Sequence, residues 1–436
     1  MMDPNTLAGL ILIVGIIFGI VVSIPIAVTI GVSTMLAAVP LLGLEQASLV
    51  TAQRMFTGIN SFPLLAIPLF VLAGVIMNNG GIAGRLVDAA KVLTGRMPAS
   101  LAQTNIVANS LFGAVSGAAV ASAAAVGNVM HGRMVKDGYD KRFAAAVNVA
   151  AAPSGMLIPP SNTFIVYSLV SSTSIAALFM AGLIPGIMWV LACMLVVYLY
   201  ARKQPGRLKS EERVSFTDGM KIIWRAVPSL LMIVIVVGGI LGGLFTATES
   251  ASIAVVYCLI LSMVYRTIKI KDLPDILVDA SRTTAIVMML VAVSTALSFV
   301  MSFARIPELI SDAVLGTTDS TAVVLLIVTI ILLLVGTFMD PTPAILIFVP
   351  IFLPIVTELG VDPVHFGALV VMALSIGVIT PPVGNVLFVG ARVARLRIEP
   401  VTGKLWPFLI AIVIALFIVV YVPVLSTWLP TTMGLL

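Results

Sequence analysis

The chain has 436 residues, of which 60% are hydrophobic and only 10% are charged. This composition excludes a soluble globular domain and is typical of a protein that crosses a lipid bilayer many times. The formal net charge of +5 does not indicate binding to nucleic acid, because most of the basic residues lie in loops between apolar segments.

The N-terminal region, residues 1–98, is predicted to supply the first scaffold spans. Its first uncharged run, residues 4–44, is about twice as long as one span requires, so we expect a turn near Ser23-Ile24-Pro25. No cleavable signal peptide is evident, because the start has no basic segment and the apolar run is too long. The sequence RLVDAAKVLTGR, which begins at Arg85, is amphipathic and is predicted to form a helix at the membrane surface.

Residues 99–170 are predicted to form a first transport unit, in which a helical hairpin precedes an interrupted helix. The predicted tip of the hairpin is Ser116-Gly117. Pro159-Pro160 interrupts the next helix, because proline has no amide hydrogen and leaves carbonyl groups one turn earlier without a donor. Inside a bilayer, such a break persists where it lines a cavity or meets a ligand. The alternative is a simple kink that packs against its neighbours.

The middle of the chain, residues 171–319, is predicted to hold a connecting span, a polar cytoplasmic linker at 202–225 and the scaffold of a second half. Thr246 and Glu249 have the spacing of a capping box, and we favour this role over a functional one for the acid. A second amphipathic segment, RIPELISDAVLG, begins at Arg305.

Residues 320–395 are predicted to form a second transport unit, and residues 396–436 a C-terminal span. Asp340 lies between runs of 20 and 17 uncharged residues, and the next helix is interrupted at Pro381-Pro382. An acid at such a depth is a candidate functional residue. We favour a re-entrant hairpin with Asp340 at its tip over an ordinary turn in water between two full spans.

The two transport units are copies of one sequence. A shift of 222 positions (360 − 138) aligns GYDKRFAAAVNVAAAPSGMLIPPSNTF, from Gly138, with GVDPVHFGALVVMALSIGVITPPVGNV, from Gly360. Loops around the first copy are rich in Lys and Arg, whereas those around the second are mainly acidic. The positive-inside rule therefore predicts that the repeat is inverted across the membrane. A parallel duplication with drifted loop charge is the alternative.

The basic residues also predict how the chain is oriented. All of them except Arg54 and Arg305 lie in five loops, and these loops reach the cytoplasm when both termini are periplasmic. The predicted fold is therefore an all-α polytopic membrane protein, an inverted repeat with two re-entrant hairpins and two helices broken at Pro-Pro.

The polar residues near the breaks indicate what kind of ligand binds there. The first break is surrounded by Gly155, Ser161, Asn162 and Thr163, and the corresponding zone of the second holds Gly377, Thr380, Gly384 and Asn385. Carbonyl and hydroxyl oxygens suit Na⁺ better than a transition metal. No phosphate-binding loop, acid pair or histidine cluster indicates an enzyme, and Cys193 and Cys258 are expected to be buried core residues.

Several motifs carry a family resemblance. The sequences are GGLFTATES from Gly242, FGAVSG from Phe112, IPPSNTFIVYS from Ile158, DPTPAILI from Asp340 and the second-copy repeat from Gly360. Together they resemble the large membrane subunit of tripartite ATP-independent periplasmic (TRAP) transporters, the DctM-like family, over nearly the whole chain. The resemblance implies a bacterial inner-membrane transporter of elevator architecture that takes up organic acids with a Na⁺ gradient.

The resemblance also implies a set of sites. One Na⁺ site would involve Ser116, Gly117, Gly155 and Pro159, and the other Asp340, Thr342, Gly377 and Thr380. Substrate contacts are expected from Ser161, Asn162, Thr163, Gly384 and Asn385. The position of Ala373, where relatives often have Asn, departs from the family, so no side-chain ligand is expected there.

Two partners are implied as well. One is a small four-span membrane subunit, expected as a separate chain because this chain starts at its first span. The other is a soluble periplasmic binding protein that delivers the carboxylate. No cofactor is expected besides Na⁺ as the coupling ion. The alternatives are a stand-alone ion-coupled anion symporter of similar design, which would work without a binding protein, and a channel.

Overall fold

The computed structural model describes residues 3–22, 24–203, 216–306 and 320–436, and the regular secondary structure of this part is entirely helical. The helices of the first half are α1 (Pro4–Val21), α2 (Ile26–Leu42), α3 (Leu44–Ile59), α4 (Ala66–Asn79, preceded by a 3₁₀ turn at Phe62–Leu65), α5 (Ile82–Thr94), α6 (Ser100–Ser116), α7 (Ala119–Lys136), α8 (Lys141–Ala151), α9 (Asn162–Ser171) and α10 (Ile175–Arg202). The turn expected near Ser23-Ile24-Pro25 is confirmed, because α1 ends at Val21 and α2 begins at Ile26.

The second half follows the same plan. Its helices are α11 (Phe216–Leu241), α12 (Ala247–Val264), α13 (Leu273–Phe303), α14 (Thr321–Phe338), α15 (Pro341–Glu358), α16 (Pro363–Gly377), α17 (Asn385–Val393), α18 (Ile398–Tyr421) and α19 (Val424–Thr432). The predicted linker is shorter than expected, because α11 already begins at Phe216; residues 204–215 lie outside the described part. The second amphipathic segment also lies outside it from residue 307 onward. The capping box of Thr246 and Glu249 is confirmed at the start of α12.

The described residues form the helices of a multi-pass membrane protein. Eight helices of the described residues are long and apolar enough to cross a bilayer. Both helices of the second hairpin, α14 and α15, are among the eight, whereas α6 and α7 of the first hairpin are not. The two hairpins therefore share a position in the repeat but differ in polarity.

The 222-residue repeat extends far beyond the two proline pairs. Shifting α7 by 222 positions gives the bounds of α15, and shifting α2 or α10 gives those of α12 or α18 to within a few residues. One scaffold element differs between the halves. The first half has α3 and α4 separated near Asn60-Ser61, and the second half has the single helix α13 in the corresponding place.

The repeated Gly-x-Asp motif starts each interrupted helix. Gly138 and Gly360 have φ values of 89° and 80°, which favour glycine because it lacks a Cβ. Two residues later, the Asp140 carboxylate accepts the Arg142 amide at 3.0 Å, and Asp362 accepts the Val364 amide at 2.7 Å. Each aspartate is therefore an N-cap, and this local role explains why the motif occurs twice.

Both predicted breaks are confirmed. Helix α8 ends at Ala151, a 3₁₀ turn follows at Ala152–Met156, and α9 begins only at Asn162. In the second copy, α16 ends at Gly377 and α17 begins at Asn385. We call residues 152–161 the first break and residues 378–384 the second break. Both Pro-Pro peptide bonds are cis.

The two interrupted helices lie side by side and run in opposite directions. The Tyr167 hydroxyl of α9 donates to the Pro363 carbonyl at the start of α16, at 2.6 Å. The Ser375 hydroxyl near the end of α16 lies 3.8 Å from the Met156 sulfur in the first break. The two interrupted helices are therefore antiparallel, which is the geometry of an inverted repeat.

The hairpins end at the level of the breaks. Along α6, Asn109 pairs with Asn148 of α8, Gly113 lies against Gly155, and the tip at Gly117 lies against Asn162. In the second copy, the Gly384 amide donates to the Thr337 carbonyl at the end of α14, at 3.1 Å. Since α9 and α17 continue for 10 and 9 residues beyond the breaks, the tips lie partway along the interrupted helices. This is the arrangement expected of re-entrant hairpins.

Candidate ion and substrate site

The first hairpin tip contacts the first break through glycine. Helix α6 ends at Ser116, and Gly117 has a φ of 62°. A Cβ on Gly117 would lie 2.6 Å from Asn162 Nδ2, so only glycine allows the tip to approach this closely. One turn earlier, a Cβ on Gly113 would lie 2.8 Å from the Gly155 Cα. The tip thus contacts Asn162, whereas Gly155 contacts Gly113, one helical turn before the predicted Na⁺-site residues Ser116 and Gly117.

The first break uses side chains to satisfy its own backbone. Pro160 cannot donate to the Met156 carbonyl. Instead, this carbonyl accepts hydrogen bonds from the Ser161 hydroxyl and, at 3.1 Å, from the Thr163 hydroxyl. Two of the three predicted substrate residues of this copy therefore hold the break in shape, and Asn162 faces the hairpin tip. Pro159, which cannot donate to the Gly155 carbonyl, is buried in the same segment.

The second tip places an acid beside the second break. Asp340 lies between α14 and α15 and is exposed at the protein surface. Its carboxylate lies next to the Thr342 amide and the Asn385 side chain, the latter at the start of α17. Asp340, Thr342 and Asn385 are thus brought together, although they come from the tip and from the far side of the break.

The second break satisfies its backbone without side chains at the matched position. The Val378 carbonyl, which corresponds to that of Met156, accepts the Val386 amide at 3.0 Å, and the Thr380 amide donates to the Gly377 carbonyl at 2.9 Å. The Thr380 hydroxyl donates to the Ile376 carbonyl at 2.7 Å. Gly377 touches hairpin α14, since a Cβ on Gly336 would lie 3.0 Å from the Gly377 Cα. The second set of predicted Na⁺ residues therefore surrounds one tip–break junction.

The two junctions are neighbours, because the Ser375–Met156 contact links the two interrupted helices directly beside the breaks. The first junction is the more enclosed: Pro159 and Pro160 are buried, whereas Pro382 is exposed and Pro381 partly so. The two junctions together hold carbonyl, hydroxyl and amide groups and one carboxylate, all midway along the helices. Such groups can coordinate a small hard cation and orient an organic acid.

Sequence reasoning missed a buried polar cluster behind the first tip. The Asn109 amide donates to the side-chain oxygens of Asn105 at 2.6 Å and Asn148 at 3.0 Å, and it accepts the Ser122 hydroxyl at 2.8 Å. Ser110 and Ser154 pair nearby at 2.8 Å. Asn105 and Asn109 are one helical turn apart, so their shared face was visible, but their partner Asn148 is distant in sequence. The cluster locks hairpin α6–α7 onto α8.

The first comparison with known proteins concerns the family. Residues 10–425 match the model of the family described as "Tripartite ATP-independent periplasmic transporter, DctM component". The match therefore includes both hairpins and both breaks.

Individual relatives agree with this match. The chain is 50% identical over 411 residues to a Salmonella typhimurium protein named "Uncharacterized protein YgiK", and the alignment covers 94% of each chain. It is 38% identical over 385 residues to the "C4-dicarboxylate TRAP transporter large permease protein DctM" of Pseudomonas aeruginosa, covering 88% of this chain and 90% of the relative.

A solved structure resembles the fold. The crystal structure of the Alcanivorax borkumensis YdaH transporter, described as having an unusual topology, superposes with a TM-score of 0.64 over 100% of both chains. The sequence identity is 14%, so this likeness concerns the architecture alone.

Proposed function

This chain belongs to the family of DctM components of tripartite ATP-independent periplasmic transporters, and from this premise we propose that it takes up a small carboxylate by coupling its entry to Na⁺. As a large permease subunit it is a transport protein and not an enzyme. Large permease subunits of this family work with a small membrane subunit and a periplasmic binding protein. In the proposed cycle, the binding protein delivers the acid to this chain from the periplasm.

The observation that carries the proposal is the pair of tip–break junctions that lie side by side. Each junction brings oxygen atoms from a hairpin tip against a helix interrupted in the apolar part of the chain. A Na⁺ ion at each junction would hold the tip against the break. The first ion would use Ser116, Gly117 and the Gly155–Pro159 segment, and the second would use Asp340, Thr342, Gly377 and Thr380.

Bound Na⁺ would also supply the charge that an acid requires. The polar residues at the two junctions are Asn, Ser, Thr and Asp, and the residues of the two breaks include no Lys or Arg. A carboxylate between the junctions would therefore be repelled by Asp340 unless cations were bound first. The Asn162 and Asn385 side chains, which face the two tips, would donate hydrogen bonds to the acid. Coupling then follows from electrostatics, because neither ligand binds well alone.

We propose that transport proceeds by an elevator movement. Within each transport unit, glycine contacts press the hairpin against the interrupted helix. We define the scaffold as α1–α4 and α11–α13. An apolar cavity of about 370 Å³ separates Leu12 of α1 and Met301 of α13 from Phe338 and Phe348 of the second hairpin. Such a boundary permits the transport units to slide as one body.

The positive-inside rule gives the proposed orientation of the chain in the membrane. Loops that carry the clustered basic residues would face the cytoplasm of a bacterial cell, and both termini would be periplasmic. The first hairpin would then open toward the cytoplasm and the second toward the periplasm. Binding protein and substrate would approach from the side on which α13 ends and α14 begins.

Purified chain, its small subunit and its binding protein in proteoliposomes would test the proposal. With a ¹⁴C-labelled C4-dicarboxylate and other small organic acids as candidate substrates, we expect accumulation only under an inward Na⁺ gradient and only with the binding protein. Accumulation that persists without any cation gradient would refute the Na⁺ coupling. Accumulation without the binding protein would instead favour a stand-alone symporter.

A further inference from the structure

A cleft of about 350 Å³ opens between the scaffold and the transport units, away from both tip–break junctions. Its scaffold wall carries four hydroxyl side chains, and we call it the hydroxyl cleft after them: Ser61, Ser294, Thr295 and Ser298. The opposite wall is apolar and includes Leu169 of α9 and Leu346 of α15. The cleft is therefore polar on the scaffold side and apolar on the side that would move.

One of these hydroxyl groups has no partner. Ser294 is 1% exposed, and its Oγ makes no hydrogen bond with any of the described residues. Leaving a buried hydroxyl unsatisfied costs about 1–3 kcal/mol. The neighbouring Thr295 hydroxyl already donates to the Val291 carbonyl at 2.9 Å. An unpaired hydroxyl beside a cleft of this size is what a site for a polar ligand provides.

The charges around the cleft favour an anion over a cation. Among the described residues, those that line the cleft include no Asp or Glu. The Arg54 guanidinium lies 4.2 Å from the centre of the Phe299 ring, next to Ser298 in the sequence. Arg54 is also one helical turn from Gly58, which lines the cleft. Hydroxyl groups alone could bind either sign of charge, but a guanidinium within about one helical turn raises the local concentration of anions.

The cleft lies on a direct route to the tip–break junctions. Helices α9 and α15 pack against each other, and each begins at a junction, α9 at Asn162 and α15 just after Asp340. Leu169 and Leu346 lie about 10 Å further along these helices. A molecule could move along the contact between α9 and α15 from the side of the protein on which α13 ends. It would then pass the hydroxyl cleft before it reached the junctions.

We propose that the hydroxyl cleft is a first, weak binding site for the substrate, in which the Ser and Thr hydroxyls of the scaffold hold the acidic group and the apolar wall of α9 and α15 holds the carbon skeleton. A small organic acid has this division into one charged end and one apolar end, and pockets of about 300–1,000 Å³ are usual for small ligands. The identity of the ligand as the transported acid rests on the proposed function. The preference of the cleft for anions does not depend on the proposed function.

Thiol labelling tests the anion preference without any transport. The native cysteines, Cys193 and Cys258, are buried, so a single accessible thiol can be introduced as Ser298→Cys. Its reaction rates with anionic 2-sulfonatoethyl methanethiosulfonate and cationic 2-(trimethylammonio)ethyl methanethiosulfonate are measured, and their ratio is divided by the ratio for free cysteine. Thr431→Cys, an exposed position on α19 with no charged residue near it in the sequence, is the matched control.

We expect the normalised ratio at Ser298→Cys to exceed that at Thr431→Cys about tenfold, and Arg54→Gln to bring the two ratios together. Equal ratios in the Arg54-containing chain would show a plain water-filled gap and would overturn the proposal. A preference for the cationic reagent would overturn it as well, because it would indicate a cation site. Failure of Na⁺-driven uptake would leave the labelling result unaffected, so the two proposals can fail separately.

Discussion

The two transport units share one backbone plan but are held together by different chemistry. In the first unit, hairpin and interrupted helix are joined by the side-chain hydrogen bonds of Asn105, Asn109, Ser110, Ser122, Asn148 and Ser154. The positions 222 residues later hold Ile327, Ile331, Leu332, Ala344, Val370 and Ile376. An inverted repeat therefore conserves where helices cross, whereas it leaves open how the crossing is stabilised.

The surroundings of the two hairpins differ as well. Helix α6 is buried along most of its length, packed against α5 and α8. Helix α14 exposes an apolar stripe that includes Ile330, Leu334 and Phe338, the last two 59% and 52% exposed. A hairpin enclosed by protein can use interhelical hydrogen bonds to fix its register. A hairpin that presents a face to lipid has to be apolar there, because polar groups are costly in hydrocarbon.

The two breaks differ in the same way. The freed carbonyl of Met156 is satisfied by the hydroxyls of Ser161 and Thr163, and the matched carbonyl of Val378 by the amide of Val386. What the two units have in common is the close glycine contact between hairpin and interrupted helix. Each of the following predictions tests either a shared feature or a difference.

The shared glycine contact should give the largest effect in both units. A side chain at Gly155 or Gly377 would collide with the backbone of α6 or α14, so Gly155→Ala and Gly377→Ala should each lower the free energy of unfolding by about 3 kcal/mol. The measurement is thermal unfolding in detergent together with the yield of monodisperse protein. Gly132→Ala, where nothing lies within 4 Å of the added Cβ, is the control. An effect confined to one unit would contradict the shared role.

The polar cluster should matter in the first unit only. Asn109→Leu leaves Asn148 and Ser122 without a side-chain partner and should cost about 2 kcal/mol of stability. The matched change in the second unit, Ile331→Leu, should cost less than about 1.5 kcal/mol. Replacing the cluster with the residues of the second unit (Asn105→Ile, Asn109→Ile, Ser122→Ala and Asn148→Val) should cost less than the separate changes added together, because no partner is left unpaired. Equal losses of stability for Asn109→Leu and Ile331→Leu would show that the polar cluster does not distinguish the first unit from the second.

The carboxylate of the second tip has no acidic counterpart in the first, so its removal should weaken one ion site. Asp340→Asn keeps the shape of the side chain and removes its charge. We expect the Na⁺ concentration for half-maximal uptake to rise about tenfold, equivalent to about 1.4 kcal/mol. Glu45→Gln, an exposed acid at the start of α3, should leave it unchanged. An unaltered Na⁺ dependence in Asp340→Asn would exclude this carboxylate as a ligand.

The smallest effect on stability is expected at the Met156 carbonyl of the first break. Ser161→Ala removes one of the two hydroxyl donors to Met156 and should cost about 1 kcal/mol in thermal unfolding, and Ser161→Ala with Thr163→Val about twice as much. Val383→Ala, the matched change in the second break, should cost less than Ser161→Ala because that break relies on a backbone amide. A double variant as stable as the wild type would show that these hydroxyls do not support the first break.

Much of the fold could be predicted from the sequence because its signals are local. Pro159-Pro160 and Pro381-Pro382 interrupt a helix wherever they occur, and Gly138-x-Asp140 starts one. Apolar length predicts spans, and the constant shift of 222 positions links the two copies. The structure also places each hairpin tip beside a break, where the sequence puts the candidate site residues.

The sequence by itself thus determined where the helices begin, break and repeat, and which polar groups stand near the breaks. Only the tertiary structure decided which groups face each other: that Ser161 and Thr163 serve the Met156 carbonyl, and that Asn148 completes a cluster with Asn109. It also decided that the Ser294 hydroxyl lies beside a cleft without a hydrogen bond to any described residue. The physical reason is the distance along the sequence over which each interaction acts. Backbone preferences depend on adjacent residues, whereas a hydrogen bond between helices depends on how those helices pack, and that is set by the whole chain.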